Sequence, residues 1–122
     1  MRLLLDTHTF IWQVRDDERL PARTSALIAA ADLVALSVAS VWEGEIKRAA
    51  GRLDAPALAE AAESVGVALL AITAEHATRA AHLPFHHNDP FDRLLVAQAQ
   101  AESLVLVTKD AVLGRYGIAV AW

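Results

Sequence analysis

Short apolar runs alternate with helical patterns along the chain, and this alternation constrains the fold more than any other feature. The runs predict strands at residues 2–5, 33–37, 68–72, 104–107 and 118–122. They are uninterrupted in apolar character, which is typical of strands that are covered on both faces. Helices are predicted at residues 8–14, 21–31, 39–50, 55–66, 73–82, 89–102 and 110–115. We therefore expect an α/β fold in which helices cover both faces of a central parallel sheet of about five strands.

The composition limits what such a fold can do. The 122 residues are expected to form one domain, residues 1–122, and they include no cysteine, which excludes disulfide and thiolate chemistry. No segment has the roughly 7–15 apolar residues of a secretory signal or the roughly 20 of a membrane span, so we expect a cytoplasmic protein with no membrane partner. The formal net charge of −4 gives no general basic field for nucleic acid. Handling RNA or DNA would require a metal or a local basic patch.

Four acidic residues stand where the predicted sheet would present a ligand site. Ligands of such sheets bind beyond the carboxyl ends of the strands, near the point where the strand order reverses. Asp6 ends the first predicted strand, Glu43 lies in the helix after the second, and Asp110 follows the fourth. Asp92 lies in the helix that precedes the fourth strand. Four carboxylates from remote parts of the sequence can therefore meet at one edge.

The segment HHNDPFDRLL, residues 86–95, contains two aspartates that we interpret differently. Asp89 directly precedes a proline and fits a helix N-cap. Asp92 falls on the apolar side of the helix, which should pack on the sheet, and a carboxylate there is costly unless it is paired or binds a metal. The alternative for Asp92 is a favourable interaction with the helix dipole. Its expected position beside Asp6 and Asp110 favours a functional role.

Structural alternatives remain open for the other acids. Asp6 and Asp110 can equally cap the helices that follow them. Glu43 and Glu45 flank the predicted core stripe of helix 39–50 on opposite sides, so periodicity does not choose between them. That stripe consists of Val38, Trp42, Ile46 and Ala49. Glu43 can also be one half of an i, i+4 ion pair with a lysine one turn later.

Four segments together resemble the PIN-domain family, and within it the VapC-like toxins of bacterial toxin–antitoxin pairs. They are LLLDTHTFIW, LSVASVWEGEIK, HHNDPFDRLLVAQAQAESLVLVTKD and RYGIAVAW, in order over nearly the whole chain. The resemblance implies an α/β/α sandwich, Mg²⁺- or Mn²⁺-dependent ribonuclease activity, a cognate VapB-like antitoxin and a homodimer. It places the family's catalytic, metal-binding acids on Asp6, Glu43, Asp92 and Asp110. Relatives usually carry apolar residues where this chain has Gly44 and Glu45.

These residue types suit metal-dependent hydrolysis of a phosphodiester. Hard divalent cations prefer carboxylate oxygens, and such ions activate water for in-line attack. Two other classes stay open, namely a catalytically silent binding module with this fold and a receiver or phosphotransfer domain. The receiver requires an acidic pair near the first strand, where only Asp6 is found. Metal-dependent cleavage of RNA by the pure protein would discard the silent module.

Other side chains have weaker claims to a functional role. The hydroxyls that can position a phosphate or a water are those of Thr7, Ser37 and Thr108. The cations that can contact RNA phosphates are Lys47, Arg48, Arg93 and Lys109. In the helix over residues 89–102, Arg93, Ala97 and Gln100 are expected to point away from the sheet. His8 can contact substrate, and His86 with His87 suggests a transition-metal site, but adjacent histidines rarely converge on one ion. The tryptophans are expected in the core or a dimer contact, and they are Trp12, Trp42 and Trp122.

The apolar content indicates a surface for a partner. Apolar residues make up 55% of the chain, which exceeds the ordinary share. We expect helices 21–31 and 39–50 to frame an apolar groove that an amphipathic antitoxin segment fills. Such a segment would bring an arginine to the acidic site, where it would compete with metal.

Overall fold

The computed structural model describes residues 1–122, and its strands form one parallel sheet. The strands are β1 (Arg2–Leu5), β2 (Leu33–Ser37), β3 (Ala68–Leu70), β4 (Val105–Val107) and β5 (Val120–Ala121). They are ordered β3-β2-β1-β4-β5, so β1 is central and the strand order reverses between β1 and β4. The predicted parallel sheet is confirmed, although β3 and β5 are shorter than expected.

Each predicted helix is present. The helices are α1 (Thr7–Arg15), α2 (Ala22–Ala30), α3 (Val38–Ala49), α4 (Leu58–Ser64), α5 (Ala74–Ala81), α6 (Pro90–Glu102) and a 3-10 helix (Ala111–Tyr116). The 3-10 helix ends at Gly117, whose φ of 77° is in the left-handed region that glycine adopts without strain. No helix is both long enough and apolar enough to cross a lipid bilayer.

The sheet separates two apolar cores, as its uninterrupted apolar strands require. Leu3 and Leu5 of β1 pack on one face against α1, α2 and α4. Leu4 packs on the opposite face against α6 and the 3-10 helix. Each of these leucines is fully buried, and burying one such side chain stabilises a fold by about 1.5–3 kcal/mol. The three layers form the expected α/β/α sandwich and fix the carboxyl end of β1 between them.

Helix α3 buries a different face from the one predicted. Its buried residues are Ala39, Ser40 and Gly44. The predicted core stripe is exposed instead, and Trp42 is 63% exposed. A Cβ atom at Gly44 would overlap Cδ1 of Leu58, so glycine permits the close packing of α3 and α4. The stripe prediction was wrong because periodicity identifies an apolar face but does not tell whether that face packs inside the same chain.

Helix α6 is covered on nearly all sides, which corrects the prediction that Arg93 and Ala97 point outward. Ala97 is fully buried and Arg93 is 7% exposed, because α5 and the 3-10 helix pack on α6 in addition to the sheet. The Arg93 guanidinium donates hydrogen bonds to the carbonyl oxygens of Ala80, Leu83, Pro84 and His87. Arg93 therefore holds the segment before α6 in place and is not free to meet phosphate.

The apolar groove is framed differently from the prediction. A cavity of about 430 Å³ lies between α1, α2 and the β2–β3 edge of the sheet. Phe10 and Val14 of α1 and Ile28 of α2 line it, and no residue of α3 does. The predicted groove between helices 21–31 and 39–50 is therefore not found, although α2 lines this other apolar cavity.

Candidate active site

The predicted acids line one pocket beyond the carboxyl ends of β1 and β4. The pocket has a volume of about 350 Å³, and Asp6, Glu43, Asp92 and Asp110 are all among its lining residues. They reach it from the end of β1, from α3, from the first turn of α6 and from the end of β4. The pocket therefore lies at the reversal point of the sheet, where the topology of a parallel sheet places ligands. Asp89 lines it as well.

Three aspartates of the pocket each use one carboxylate oxygen as a helix cap. Oδ1 of Asp6 accepts the backbone N–H of Thr9 at 2.8 Å and caps α1. Asp110 caps the 3-10 helix and Asp89 caps α6 in the same way. The predicted cap at Asp89 is confirmed. For Asp6 and Asp110, capping and a place in the pocket are both found, because a cap occupies only one of the two oxygens.

The structure distinguishes Glu43 from Glu45. Oε1 of Glu43 accepts a hydrogen bond from the buried Thr7 hydroxyl at 2.6 Å, and Oε2 lies 3.5 Å from Nζ of Lys47. Glu45 pairs with Arg48 at 2.8 Å and lines a separate depression. Glu43 is therefore the glutamate of the acidic pocket, and Thr7, which also lines the pocket, orients it.

Asp92 has the most perturbed protonation equilibrium of the chain. Burial raises the pKa of this carboxyl from 3.8 to about 7, because desolvation disfavours the charged form. The negative charges of Asp89, Asp6 and Glu43 also raise the pKa, and His87 lowers it. The local charge is therefore poorly compensated by the chain itself, and a bound cation would favour the carboxylate.

His87 contacts two acids of the pocket without being one of its lining residues, and sequence patterns did not identify these contacts. Its Nε2 lies 3.1 Å from Oδ2 of Asp110 and 3.5 Å from Oδ2 of Asp92. Ligand atoms of these three residues lie within 4.8 Å of one another, a spacing that can hold a metal ion. The ring's Nδ1 accepts the backbone N–H of Asp89 at 3.1 Å. In the neutral ring, Nε2 therefore carries the proton and donates a hydrogen bond to Oδ2 of Asp110.

The two adjacent histidines diverge, as expected. His86 packs edge-on against the ring of Tyr116, with 5.0 Å between the ring centroids, whereas His87 contacts Asp92 and Asp110. One sequence signal could have singled out His87, namely its place two residues before the helix cap Asp89. A side chain there can bond the backbone of the cap, which fixes the orientation of the ring.

The remaining candidates have mostly structural contacts. Ser37 caps α3 and is not among the pocket residues, whereas Thr108 accepts a backbone N–H at the pocket rim. Trp12 lines the pocket and packs edge-on against Trp122 at 5.9 Å, in agreement with a partly buried structural role. Lys109 is exposed and lines the pocket, as does His8.

The protein is an α/β/α sandwich around a five-stranded parallel sheet. Its carboxylates cluster at the carboxyl edge of that sheet, and this arrangement agrees with the family match that follows. The family model described as "PIN domain" matches residues 3–119. The chain belongs to the PIN-domain family. No curated protein matches it at a significant level.

Solved structures share the fold at low sequence identity. The VapBC2 complex from Rickettsia felis, bound to a DNA fragment from its promoter, contains a chain with a TM-score of 0.71 and 14% identity, covering 99% of this chain and 98% of that one. A toxin–antitoxin complex from Klebsiella pneumoniae matches with a TM-score of 0.65 and 18% identity, covering 98% and 96%. FitAcB from Neisseria gonorrhoeae matches with a TM-score of 0.68 and 21% identity, covering 97% and 95%.

Proposed function

We propose that the protein is a metal-dependent endoribonuclease toxin, which hydrolyses RNA phosphodiester bonds and is neutralised by a cognate VapB-like antitoxin. One observation carries the proposal, namely the convergence of Asp6, Glu43, Asp92 and Asp110 from four remote segments on one pocket. Membership of the PIN-domain family and the likeness to chains of toxin–antitoxin complexes support it. An enzyme that acts on RNA works where RNA is plentiful, so the proposal places it in the cytoplasm.

The donor set of the pocket fits Mg²⁺ or Mn²⁺. Carboxylate oxygens are the ligands that hard divalent cations prefer, and Asp6, Glu43, Asp92 and Asp110 supply them. Burial and the neighbouring carboxylates raise the pKa of Asp92, and a bound cation would offset both effects, which supports this assignment. When bound, such a cation supplies Lewis acidity for phosphodiester hydrolysis.

The chain's own residues hold these carboxylates in place. The Thr7 hydroxyl orients Glu43, and backbone N–H groups of the capped helices orient Asp6 and Asp110. The cap leaves Oδ2 of Asp6 free, while both oxygens of Asp110 and of Glu43 have partners within the chain, so the carboxylates are oriented before any substrate arrives. The exposed ammonium group of Lys109 stands at the same pocket and is proposed to contact a substrate phosphate.

The proposed antitoxin inhibits by placing an arginine in this pocket. A guanidinium pairs with carboxylates in a bidentate geometry and would neutralise the charge that otherwise recruits metal. The similar structures from Rickettsia felis and Klebsiella pneumoniae are a VapBC2 complex and a toxin–antitoxin complex, which supports an antitoxin for this chain. A complex in which the antitoxin stays away from Asp6 and Asp92 would contradict this mode of inhibition.

We also propose that the toxin is a homodimer in which the exposed apolar stripe of α3 contacts a second copy. Trp42 packs edge-on against Phe91 at 5.2 Å, and Val38 and Ile46 extend this surface along the helix. Removing such apolar surface from water contributes about 25 cal/mol per Å². A large exposed apolar surface on a folded chain favours an interface.

One experiment tests the enzymatic proposal. Purified protein is incubated with end-labelled RNA in Mg²⁺, in Mn²⁺ and in EDTA, beside the Asp92→Asn variant, and the ends of the products are sequenced. We expect internal cuts that require metal and that the variant loses. Intact RNA in both metals would contradict the nuclease and favour a silent binding module. Full cleavage in EDTA would contradict the metal mechanism.

A further inference from the structure

A second depression adjoins the acidic pocket and has the opposite charge. It has a volume of about 290 Å³, and its cationic lining residues are Arg15, Arg19, Lys47 and Arg52. No acidic residue lines it. The chain carries a net charge of −4 and has 11 lysine and arginine residues, so four of them at one depression form a marked local concentration.

The two depressions share a wall. His8 and Trp12 line both of them, so one wall of the acidic pocket is also a wall of the basic depression. Trp12 is held by the Arg19 guanidinium, 4.8 Å from its ring centroid, and by Trp122 at its edge. A polyanion whose scissile phosphate lies at the acidic pocket therefore meets positive charge directly beyond this wall.

The four cations differ in how far the chain neutralises them. Arg19 forms a bidentate pair with Asp17, and Lys47 lies 3.5 Å from Glu43. Arg15 and Arg52 are exposed and take part in no salt bridge. These two guanidinium groups are therefore the ones whose charge is available to a ligand.

We propose that this basic depression binds the phosphates of the RNA strand on one side of the scissile bond, with Arg15 and Arg52 as the contacting residues. The inference rests on the proposed ribonuclease function and deepens it by assigning a path to the substrate. It also explains how an acidic protein binds a polyanion, because a local cationic surface replaces the missing general field. Lys47 stands between the two depressions, and its pair with Glu43 joins them.

Binding is measured first in EDTA, where the proposed enzyme does not cleave. The probe is a labelled single-stranded RNA of about 20 nucleotides, followed by anisotropy over a series of salt concentrations. Each phosphate contact to a single strand contributes about 0.7 to the slope of log affinity against log salt. The double variant Arg15→Gln/Arg52→Gln should therefore lower that slope by about 1.4, which weakens binding roughly 25-fold near 0.1 M salt.

A charge-matched control separates a local site from a loss of net charge. The double variant Arg79→Gln/Arg115→Gln removes the same charge from exposed positions that do not line either depression. It should keep the wild-type slope. An equal loss in both double variants would overturn the proposal, because it would show a response to overall charge alone.

Cleavage with metal provides a second readout. Loss of uniform binding raises KM and leaves kcat nearly unchanged, so Arg15→Gln/Arg52→Gln should behave in this way on long RNA and resemble the wild type on a dinucleotide. Unchanged RNA binding together with weaker binding of a purified antitoxin would overturn the proposal and assign the depression to the antitoxin. If wild-type protein cleaves no RNA but its binding still depends on Arg15 and Arg52, the binding path stands and the nuclease assignment fails.

Discussion

The Nε2 atom of His87 donates to Oδ2 of Asp110 across 3.1 Å and so joins the loop before α6 to the residues that follow β4. The other ring nitrogen is already occupied, since Nδ1 accepts the backbone N–H of Asp89. Nε2 could serve as a metal ligand only if this bond were given up, because a neutral ring carries one proton. His87 is therefore best placed to orient Asp110, as residues behind a metal ligand commonly do.

The first prediction concerns that hydrogen bond. Under the proposed function, His87→Ala should raise the Mg²⁺ or Mn²⁺ concentration needed for half-maximal cleavage by about 10–100-fold, because Asp110 loses its orienting donor. His86→Ala is the matched control, since His86 packs on Tyr116 outside the pocket. A metal titration of RNA cleavage measures the effect. An equal response in the two variants would show that His87 has no special relation to the site.

The second prediction separates the two aspartates of the DPFD segment. Asp89→Asn keeps a capping oxygen, so stability and cleavage should both stay within a few-fold, whereas Asp89→Ala should cost about 0.5–2 kcal/mol of stability as a lost cap. Under the proposed function, Asp92→Asn removes a charge from the metal site. It should abolish most RNA cleavage and weaken the rise in melting temperature that metal gives by mass action. If Asp89→Asn is inactive and Asp92→Asn cleaves normally, the roles are reversed.

The third prediction is the pH dependence of the metal-free protein. The pKa of Asp92 is about 7 in the folded chain and 3.8 ordinarily, so between these values the folded state binds more protons than the unfolded state. The contribution of protonated Asp92 to the free energy of unfolding is fully present below pH 3.8 and is lost as the pH rises through about 7. Denaturant unfolding in EDTA across this range should show the loss. Because other groups also titrate, the Asp92→Asn variant is the reference. Its free energy of unfolding should fall less steeply with pH than that of the wild type. Identical slopes would contradict the assignment.

The fourth prediction concerns the contact between α3 and α4. Alanine favours a helix over glycine by about 1 kcal/mol, yet Gly44→Ala should destabilise the protein by about 1–3 kcal/mol because the new methyl group overlaps the buried Leu58. Chemical denaturation measures this. Leu58→Ala removes the side chain that the new methyl group would overlap. Adding Gly44→Ala to that variant should therefore lower its stability little or raise it. Additive losses in the double variant would show that the overlap is not the cause.

The fifth prediction tests the proposed homodimer. Trp42→Ser should convert the dimer to a monomer in sedimentation or light-scattering measurements and leave the monomer folded, because Trp42 is 63% exposed within the chain. Phe85→Ser is the control, since Phe85 is 80% exposed and lies outside the α3 stripe. A wild-type protein that is monomeric at high concentration would contradict the proposed contact.

The sequence predicts the sheet well because fully covered parallel strands need uninterrupted apolar runs, and runs such as residues 2–5 have no other simple interpretation. The positions of Asp6 and Asp110 follow from the same logic, since both come after strands that end at one edge. The helix pattern alone could not assign Glu43 to the pocket, because periodicity left Glu45 as an equal choice. The contact with Thr7 distinguishes the two, and that contact depends on how α3 meets α1.

The errors share one physical cause. Trp42 and Arg93 lie on helices whose neighbours were unknown, and the pattern within a helix does not reveal what packs against it. Small residues let α3 approach α4, and this turned the large apolar residues outward. Arg93 is buried because carbonyl oxygens of the preceding segment need donors. The contact of His87 with Asp110 spans 23 positions of sequence, beyond the reach of any local motif.

Four of the five acids that line the pocket are residues 6, 43, 92 and 110, and this spread affects when they can come together during synthesis. A ribosome that has made everything up to α6 has produced a chain without β4 and without Asp110. The carboxylates come together only after β4 has paired with β1 at the middle of the sheet. A nascent chain therefore lacks the complete set of four carboxylates until β4 and Asp110 have emerged. Under the proposed function, the chain has no nuclease activity before that point of its synthesis.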